Sequence, residues 1–255
     1  MKILKFKKTT KGIYKLILDN NDSINLYEDV IINNNLLLTK EIKEEELDDI
    51  LKQNNDIYVY QISLNYIQVR MRSIKEMKDY LKRKNISDTL IDNTIDKLIK
   101  SGYLNDFTFA KAFVNDKLLI TNNGPLKIKN ELIKLGVSSD IINEVLDDID
   151  NTIIKEKLSN LMEKQIKLKK GSSNSIKVKI VNYFINLGYA KEMILDELSN
   201  YKLKSDPIKL KKDYDKLYAK YKNKYDGNSL YYFISQKLYS KGYTKEEIKK
   251  LVQMN

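Results

Sequence analysis

Cysteine and histidine are both absent from this 255-residue chain, and proline occurs only twice. Without cysteine there can be no disulfide framework, no zinc-thiolate centre and no thiol nucleophile, so a reducing, intracellular setting is expected. Without histidine the commonest general base and the commonest metal ligand are gone, which weighs against most hydrolytic mechanisms. No run approaches the roughly 18 apolar residues of a membrane span. Residues 1–10 alternate lysine with apolar side chains instead of building a signal peptide. A cytoplasmic protein with no membrane association is expected. There is no phosphate-binding glycine loop, nucleophile elbow or metal-ligand spacing, so the chain reads as a non-enzyme with no catalytic, cofactor-binding or metal-binding residues.

The formal charge of +11 and a pI near 9.3 suit a polyanion or an acidic protein face. Its location says more than its size. Residues 163–179 carry lysines at 164, 167, 169, 170, 177 and 179 against the single acid Glu163. Residues 201–225 carry lysines at 202, 204, 209, 211, 212, 216, 220, 222 and 224 against Asp206, Asp213 and Asp215. These two stretches account for the whole excess, and the rest of the chain is balanced. Such lysines are either a solvated helix face or a surface that neutralises phosphates, and composition alone leaves both open.

The chain repeats one helical pattern four times. Asn85, Gly136, Gly188 and Gly242 lie 51, 52 and 54 residues apart. Eight residues before each is Met77, Ile128, Ile180 or Ile234, and four before is Leu81, Leu132, Phe184 or Leu238. One after each is Ile86, Val137, Tyr189 or Tyr243. Six after is Ile91, Ile142, Ile194 or Ile248, and ten after is Ile95, Leu146, Leu198 or Val252. A constant period of this kind predicts tandem helical modules that bury one another's faces. The aligned residue sits where a helix ends in a left-handed turn, a conformation suited to glycine and next best to asparagine. Ser73 with Glu76, and Thr244 with Glu247, have capping-box spacing. Ser87 and Ser138 are further N-cap candidates, whereas Ala190 predicts a less sharply started helix. Third helices are expected at roughly 106–119, 152–170 and 207–224, with Pro125 and Pro207 at first helical positions.

Residues 1–40 do not read as helix: β-prone runs and the turn-forming Asn20-Asn21-Asp22-Ser23 predict a hairpin or three-stranded meander. Two helices, 41–52 and 57–69, complete a small α+β segment that needs the helices to be stable. The period divides the chain at 1–70, 71–122, 123–172, 173–226 and a partial fourth repeat at 227–255. The expected fold is mainly α: tandem three-helix repeats in an elongated curved array, preceded by the α+β segment. Within it, Tyr214, Tyr218, Tyr221 and Tyr225 share a helical face and are expected in a core in preference to a base-stacking platform. Asn105-Asp106 reads as a helix cap, not a metal carboxylate. The acids at 44, 45, 46, 48 and 49 read as an exposed helix face or a counter to the basic half.

One stretch has recognisable wording: Arg72-Ser73-Ile74-Lys75-Glu76, then Tyr80-Leu81-Lys82-Arg83-Lys84, then Gly102-Tyr103-Leu104-Asn105-Asp106 and Phe109-Ala110. With Gly124-Pro125, Glu131-Leu132 and Gly136-Val137 it resembles the RecX regulatory-protein family, and the N-terminal segment is similar to the extension of longer Gram-positive members. The resemblance implies a monomeric modulator of homologous recombination and the SOS response. Such a protein binds the RecA recombinase filament and single- or double-stranded DNA without base specificity, and most often inhibits ATP hydrolysis, strand exchange and co-protease activity. Arginine is confined to Arg70, Arg72 and Arg83, so a bidentate grip is expected only around the first repeat. Contacts are expected at Arg70, Arg72, Lys82, Arg83 and Lys84, then Lys164, Lys167, Lys169, Lys170, Lys209, Lys211 and Lys212. Two alternatives stand beside this reading: a stand-alone nucleic-acid-binding protein and a helical scaffold for another protein.

Overall fold

The structure is a computed structural model that describes residues 1–10 and 12–253, without the side chains of Val252 and Gln253. The expected core position Val252 therefore lies outside the described residues. The chain forms two compact units, Met1–Ala110 with Lys134–Ile141, and Lys111–Ile133 with Ile142–Asn255.

The first unit opens with an antiparallel meander of β1 (Ile3–Thr10), β2 (Ile13–Leu18) and β3 (Ser23–Tyr27), in that spatial order. Leu16, Leu18 and Leu26 fall on one face and are fully covered. Residues 28–39, expected to be non-helical, instead form α1 (Glu28–Asn33) and α2 (Leu36–Thr39). Glu28 and Asp29 favour a helix start through the dipole. Val30, Ile31 and Leu36 then supply the apolar surface the sheet needs. The two helices expected at 41–52 and 57–69 are one continuous helix, α3 (Glu44–Val69), about 39 Å long. Its polar middle, Gln53-Asn54-Asn55-Asp56, looks like a break. No proline or glycine interrupts it, however, and Asn54 is consumed by a tertiary contact. The Asn54 side chain accepts the Tyr27 N–H at 2.8 Å and donates to the Asn25 carbonyl at 3.2 Å. It thus occupies backbone groups on the outer edge of β3, a protection that edge strands need. Further along, Val59 joins a second core with Met77, Leu81, Ile91, Ile95, Leu98 and Leu104 from α4 (Ile74–Arg83), α5 (Asp88–Lys100) and the turn beyond. One helix therefore serves two cores.

The remaining helices are α6 (Asp106–Ile120), α7 (Pro125–Lys134), α8 (Ser139–Asp147), α9 (Asn151–Leu168), α10 (Ser173–Asn186), α11 (Lys191–Ser199), α12 (Pro207–Tyr221), α13 (Gly227–Ser240) and α14 (Lys245–Gln253). The periodic positions behave as their spacing requires. Met77, Ile128, Ile180 and Ile234 are fully buried, as are Leu81, Leu132, Phe184 and Leu238. Leu146 is only half-buried because Val145 takes the inner position. One core joins α9, α10 and α11, and another joins α12, α13 and α14. Grouped by shared core, the helices start a module one helix earlier than the numbers at which the period was cut.

All four aligned turn residues are left-handed: Asn85 at φ 58°, Gly136 at 83°, Gly188 at 87° and Gly242 at 87°. Three of them also receive the N-terminus of another helix. The Ser73 hydroxyl at the start of α4 donates to the Leu135 carbonyl at 2.6 Å, and the Ser172 hydroxyl at the start of α10 donates to the Lys241 carbonyl at 2.6 Å. Between them, Gly124 and Leu126 at the start of α7 donate backbone N–H groups to Leu187 and Gly188 at 2.6 and 3.0 Å. A Cβ on Gly136 would stand 2.5 Å from the Lys75 Cβ, and one on Gly188 would stand 2.5 Å from the Lys127 Cβ. Asn85 belongs to the first of the four turns, and among the described residues no helix start hydrogen-bonds to it. It alone carries a side chain.

Both expected capping boxes form, at Ser73–Glu76 and Thr244–Glu247. Ser87 makes no side-chain cap bond, and Ser138 accepts from Ile141 at a long 3.4 Å. Asn105 is the residue that caps α6, accepting from Thr108 at 3.0 Å. Asp106 reaches instead to the first amide of α4, accepting from Ile74 at 2.9 Å. Burial raises the Asp106 carboxyl above its usual value despite that bond.

The Tyr189 hydroxyl is buried and has no hydrogen-bond partner among the described residues. Burial, then the neighbouring Tyr183, pushes its pKa up to about 12. An unpaired buried hydroxyl opposes folding, so Tyr189→Phe is expected to stabilise by about 1 kcal/mol at neutral pH in a denaturant titration. A raised folded pKa also means stability that is full below about pH 10 and lost as pH rises toward 12. The phenylalanine variant is expected to lose less over that interval.

Candidate nucleic-acid and partner interface

The expected contact residues divide into those committed to internal interactions and those left facing solvent. At the end of α3, Arg70 forks onto the capping-box carboxylate Glu76, with Nη1 at 3.3 Å from Oε2 and Nη2 at 2.5 Å from Oε1. Arg72 is tucked in, its side chain only 10% exposed. Its guanidinium lies 3.9 Å from the centre of the Tyr66 ring, and its Nε donates to the Tyr66 carbonyl at 3.2 Å. Tyr66 in turn stacks on Tyr80 with centroids 4.0 Å apart and planes 7° apart. This pile of cation and rings ties α3 to α4. Lys82 faces Asp88 at 3.3 Å, and both are exposed enough for the pair to contribute under about 1 kcal/mol. Lys84 lies 5.8 Å over Tyr80, while Arg83 is exposed with no ion pair among the described residues.

In the second unit, Lys164 and Lys167 lie in the last part of α9, followed by Lys169 and Lys170, near the helix end whose carbonyls favour positive charge. Lys167 pairs with Glu163 at 2.7 Å, and Lys169 sits 5.1 Å over Tyr183. Lys164 and Lys170 are exposed and have no ion pair among the described residues. The Asp206 amide donates to the Gly171 carbonyl at 2.9 Å, which brings the start of α12 beside the end of this segment. The two lysine-rich stretches thus meet.

Lys209 is turned inward within that junction. Its ammonium is 3.1 Å from Asp213, a carboxylate whose side chain is 9% exposed. Lys241 approaches the same oxygen at 3.2 Å, and the Tyr243 hydroxyl donates to the other at 3.1 Å. Burial alone would raise the Asp213 carboxyl. Hydrogen bonds from Lys209 and Lys241, the Lys241 charge and the Tyr243 hydroxyl outweigh burial and hold it below the usual range. Burial, followed by the Asp213 charge, drives the Tyr243 phenol well above its usual value. Lys211 and Lys212 point outward without an ion pair among the described residues. Of the tyrosine stripe, Tyr214, Tyr221 and Tyr225 pack on the last core, with Phe233 4.8 Å from Tyr221 and 4.7 Å from Tyr225. Tyr218 stays exposed.

Sequence reading missed Asp213, because one of three aspartates among nine lysines looks like a solvated residue. It also passed over Tyr232, Tyr239, Lys245 and Lys249, which line an open groove between α13 and α14. Their signal was present: the tyrosines are seven residues apart and the lysines four, each pair on one helical face. Among the described residues no group of three or more acidic side chains could hold a metal ion, and no helix is long and apolar enough to cross a membrane.

Residues 60–98 match the family described as RecX, first three-helix domain, and residues 105–146 match RecX, second three-helix domain. The first match begins within α3. The regulatory protein RecX of Streptococcus gordonii is 31% identical over 259 residues, covering 99% of each chain. That of Streptococcus uberis is 31% identical over 258 residues, covering 99% of this chain and 98% of the relative. A crystal structure of regulatory protein RecX shares the fold at a TM-score of 0.63 and 20% identity, over 75% of this chain and 96% of that one. RecX from Lactobacillus salivarius aligns at a TM-score of 0.54 and 27% identity, over 57% of this chain and 96% of its own.

Proposed function

This chain belongs to the RecX family of regulatory proteins, and from that membership we propose that it binds the RecA recombinase filament on DNA and damps ATP hydrolysis, strand exchange and co-protease activity. The observation that carries the reading beyond the family name is the set of outward-facing cations with no ion pair among the described residues. Lys164 and Lys170 belong to one basic segment and Lys211 and Lys212 to the next, and the Asp206–Gly171 bond joins the two. Arg83 adds a cation in the first unit. Unneutralised lysines draw in phosphate and acidic protein surface, and they position without reading base sequence. Arg70, Arg72 and Lys209 add little to this pull, since internal partners already match their charges. Helical modules docked across neighbouring subunits then oppose the rearrangements that hydrolysis and strand exchange require.

The test is single-stranded-DNA-dependent ATP hydrolysis by RecA, titrated with this protein at ratios too low to coat the DNA. Suppression is expected from the native chain. Reversing Lys164, Lys170, Lys211 and Lys212 to glutamate is expected to raise the half-suppressing concentration about tenfold or more, since each lost phosphate contact weakens binding. Undiminished suppression by a folded quadruple variant removes these lysines from the site. Suppression only at DNA-saturating amounts favours a stand-alone DNA binder.

A further inference from the structure

Three depressions in the second unit share lining residues. The first, with a volume of about 520 Å³, lies against the start of α10 and includes Asn174, Lys177 and Tyr201. The second includes Asn174 again, together with Tyr239, Gly242 and Lys245. The third, also about 520 Å³, continues from Tyr239 and Lys245 to Tyr232 and Lys249. Asn174 is thus common to the first and second, and Tyr239 and Lys245 to the second and third.

The walls of the third depression differ in chemistry. On α13, Tyr232 and Tyr239 are 66% and 60% exposed, unlike tyrosines that serve a core. They stand two helical turns apart on one face. The Tyr232 hydroxyl accepts from the Gln236 side chain at 2.8 Å, which fixes that ring's edge and leaves its face open. On α14, Lys245 and Lys249 are one turn apart, exposed and without an ion pair among the described residues. Among the described residues no acid lines this stretch; Glu246 lines only the second depression. Lys177 extends the cationic rim at the other end.

We propose that these adjoining depressions act as one groove for a single strand of nucleic acid, with bases stacked on Tyr232 and Tyr239 and phosphates against Lys245, Lys249 and Lys177. Aromatic faces on one wall and cations on the other match the two components of an unpaired strand. In a duplex the base faces are already stacked and cannot meet the tyrosines, so the groove discriminates against it. A protein ligand would call for apolar pockets; the first depression has Leu195, Leu198 and Leu203, but in the third, where the tyrosines stand, Ile248 is the only aliphatic side chain among the described residues. None of its lining residues is a lysine assigned to the filament. It extends the proposed function, since a recombinase filament carries such a strand, but it predicts binding to bare oligonucleotide as well.

The test is fluorescence anisotropy of a labelled oligothymidylate of about twenty nucleotides, titrated with the full chain at several salt concentrations. Tyr232→Ala with Tyr239→Ala is expected to weaken binding about tenfold or more, while Tyr232→Phe with Tyr239→Phe stays within about twofold, because the ring and not the hydroxyl does the stacking. Lys245→Gln with Lys249→Gln is expected to make the log–log salt slope shallower by about 1.4. All four side chains are exposed, so circular dichroism melts should show each variant folded. Native affinity in the tyrosine-to-alanine variant overturns the proposal, as does duplex competing as well as single strand. RecA ATPase suppression by the same variants separates the two readings. Oligonucleotide binding that depends on the tyrosines, without any ATPase suppression by the native chain, sinks the filament reading and leaves the groove. Suppression lost on tyrosine substitution while oligonucleotide binding is untouched makes the groove a protein-docking surface and sinks the present assignment.

Discussion

Gly188→Ala is expected to destabilise the protein by about 3 kcal/mol or more and to lower the melting transition of its unit by about 6–12 °C. Two costs combine. A left-handed backbone at φ 87° costs any residue with a Cβ about 1–2 kcal/mol. The new Cβ would also press on the Lys127 amide nitrogen and lie 2.5 Å from the Lys127 Cβ, so the start of α7 would have to back away. That movement pulls on the bonds from Gly124 to Leu187 and from Leu126 to Gly188. Gly102 provides the comparison. It has φ 76° with nothing within 4 Å of where a Cβ would stand, so Gly102→Ala is expected to show only the dihedral cost of about 1–2 kcal/mol. Asn85→Gly is expected to stay within about 1 kcal/mol, because relief of backbone strain is offset by a more flexible unfolded chain. Chemical denaturation of the three variants separates conformation from close approach. If Gly188→Ala proved no worse than Gly102→Ala, helix docking would not be what demands glycine at the turn.

Asp213→Ala is expected to cost about 2–3 kcal/mol, seen as a lower denaturation midpoint. The substitution leaves the Lys209 and Lys241 ammonium groups facing each other and the Tyr243 hydroxyl without an acceptor. The lysines are 40% and 47% exposed, so water recovers part of the loss and the effect falls short of a fully buried pair. Lys209→Met is expected to cost less, since Lys241 and Tyr243 still hold the carboxylate. The pH dependence has a definite sign. Because the folded carboxyl titrates below its ordinary value of 3.8, its contribution is full above that pH and disappears as pH falls through the folded value. Melts from pH 7 down to about pH 2 should therefore show native protein and Asp213→Asn converging at the acid end. An advantage unchanged at pH 2 would mean that the carboxylate charge is not its source.

Both effects arise where helices meet, and that is where the sequence was least legible. The glycine turns could be recognised because a helix end needs a left-handed residue, a local requirement written at one position. That Gly188 must also be bare for Gly124 to reach its backbone involves residues 64 positions apart, and no spacing within one helix records it. Arg72 reads as a solvent-facing cation from its neighbours, yet it is spent on Tyr66. Gln53-Asn54-Asn55-Asp56 reads as a break until β3 is present to take up the Asn54 side chain.

The local and periodic part is legible from the chain alone: helices of set length, buried stripes such as Met77, Leu81, Ile91 and Ile95, capping boxes at Ser73 and Thr244, and the concentration of charge in two lysine-rich stretches. These follow from 3.6-residue geometry and from the backbone groups exposed at each helix end, which depend only on nearby residues. Packing in three dimensions settles which helices share a core, since a period sets a repeat length and leaves its starting point open. It also settles which cations face solvent, because a lysine's freedom depends on whether packing brings a carboxylate or a ring within reach. Lys241 and Lys211 differ in that respect: packing brings Lys241 to Asp213, 28 positions away in the sequence, whereas Lys211 faces solvent without an ion pair among the described residues.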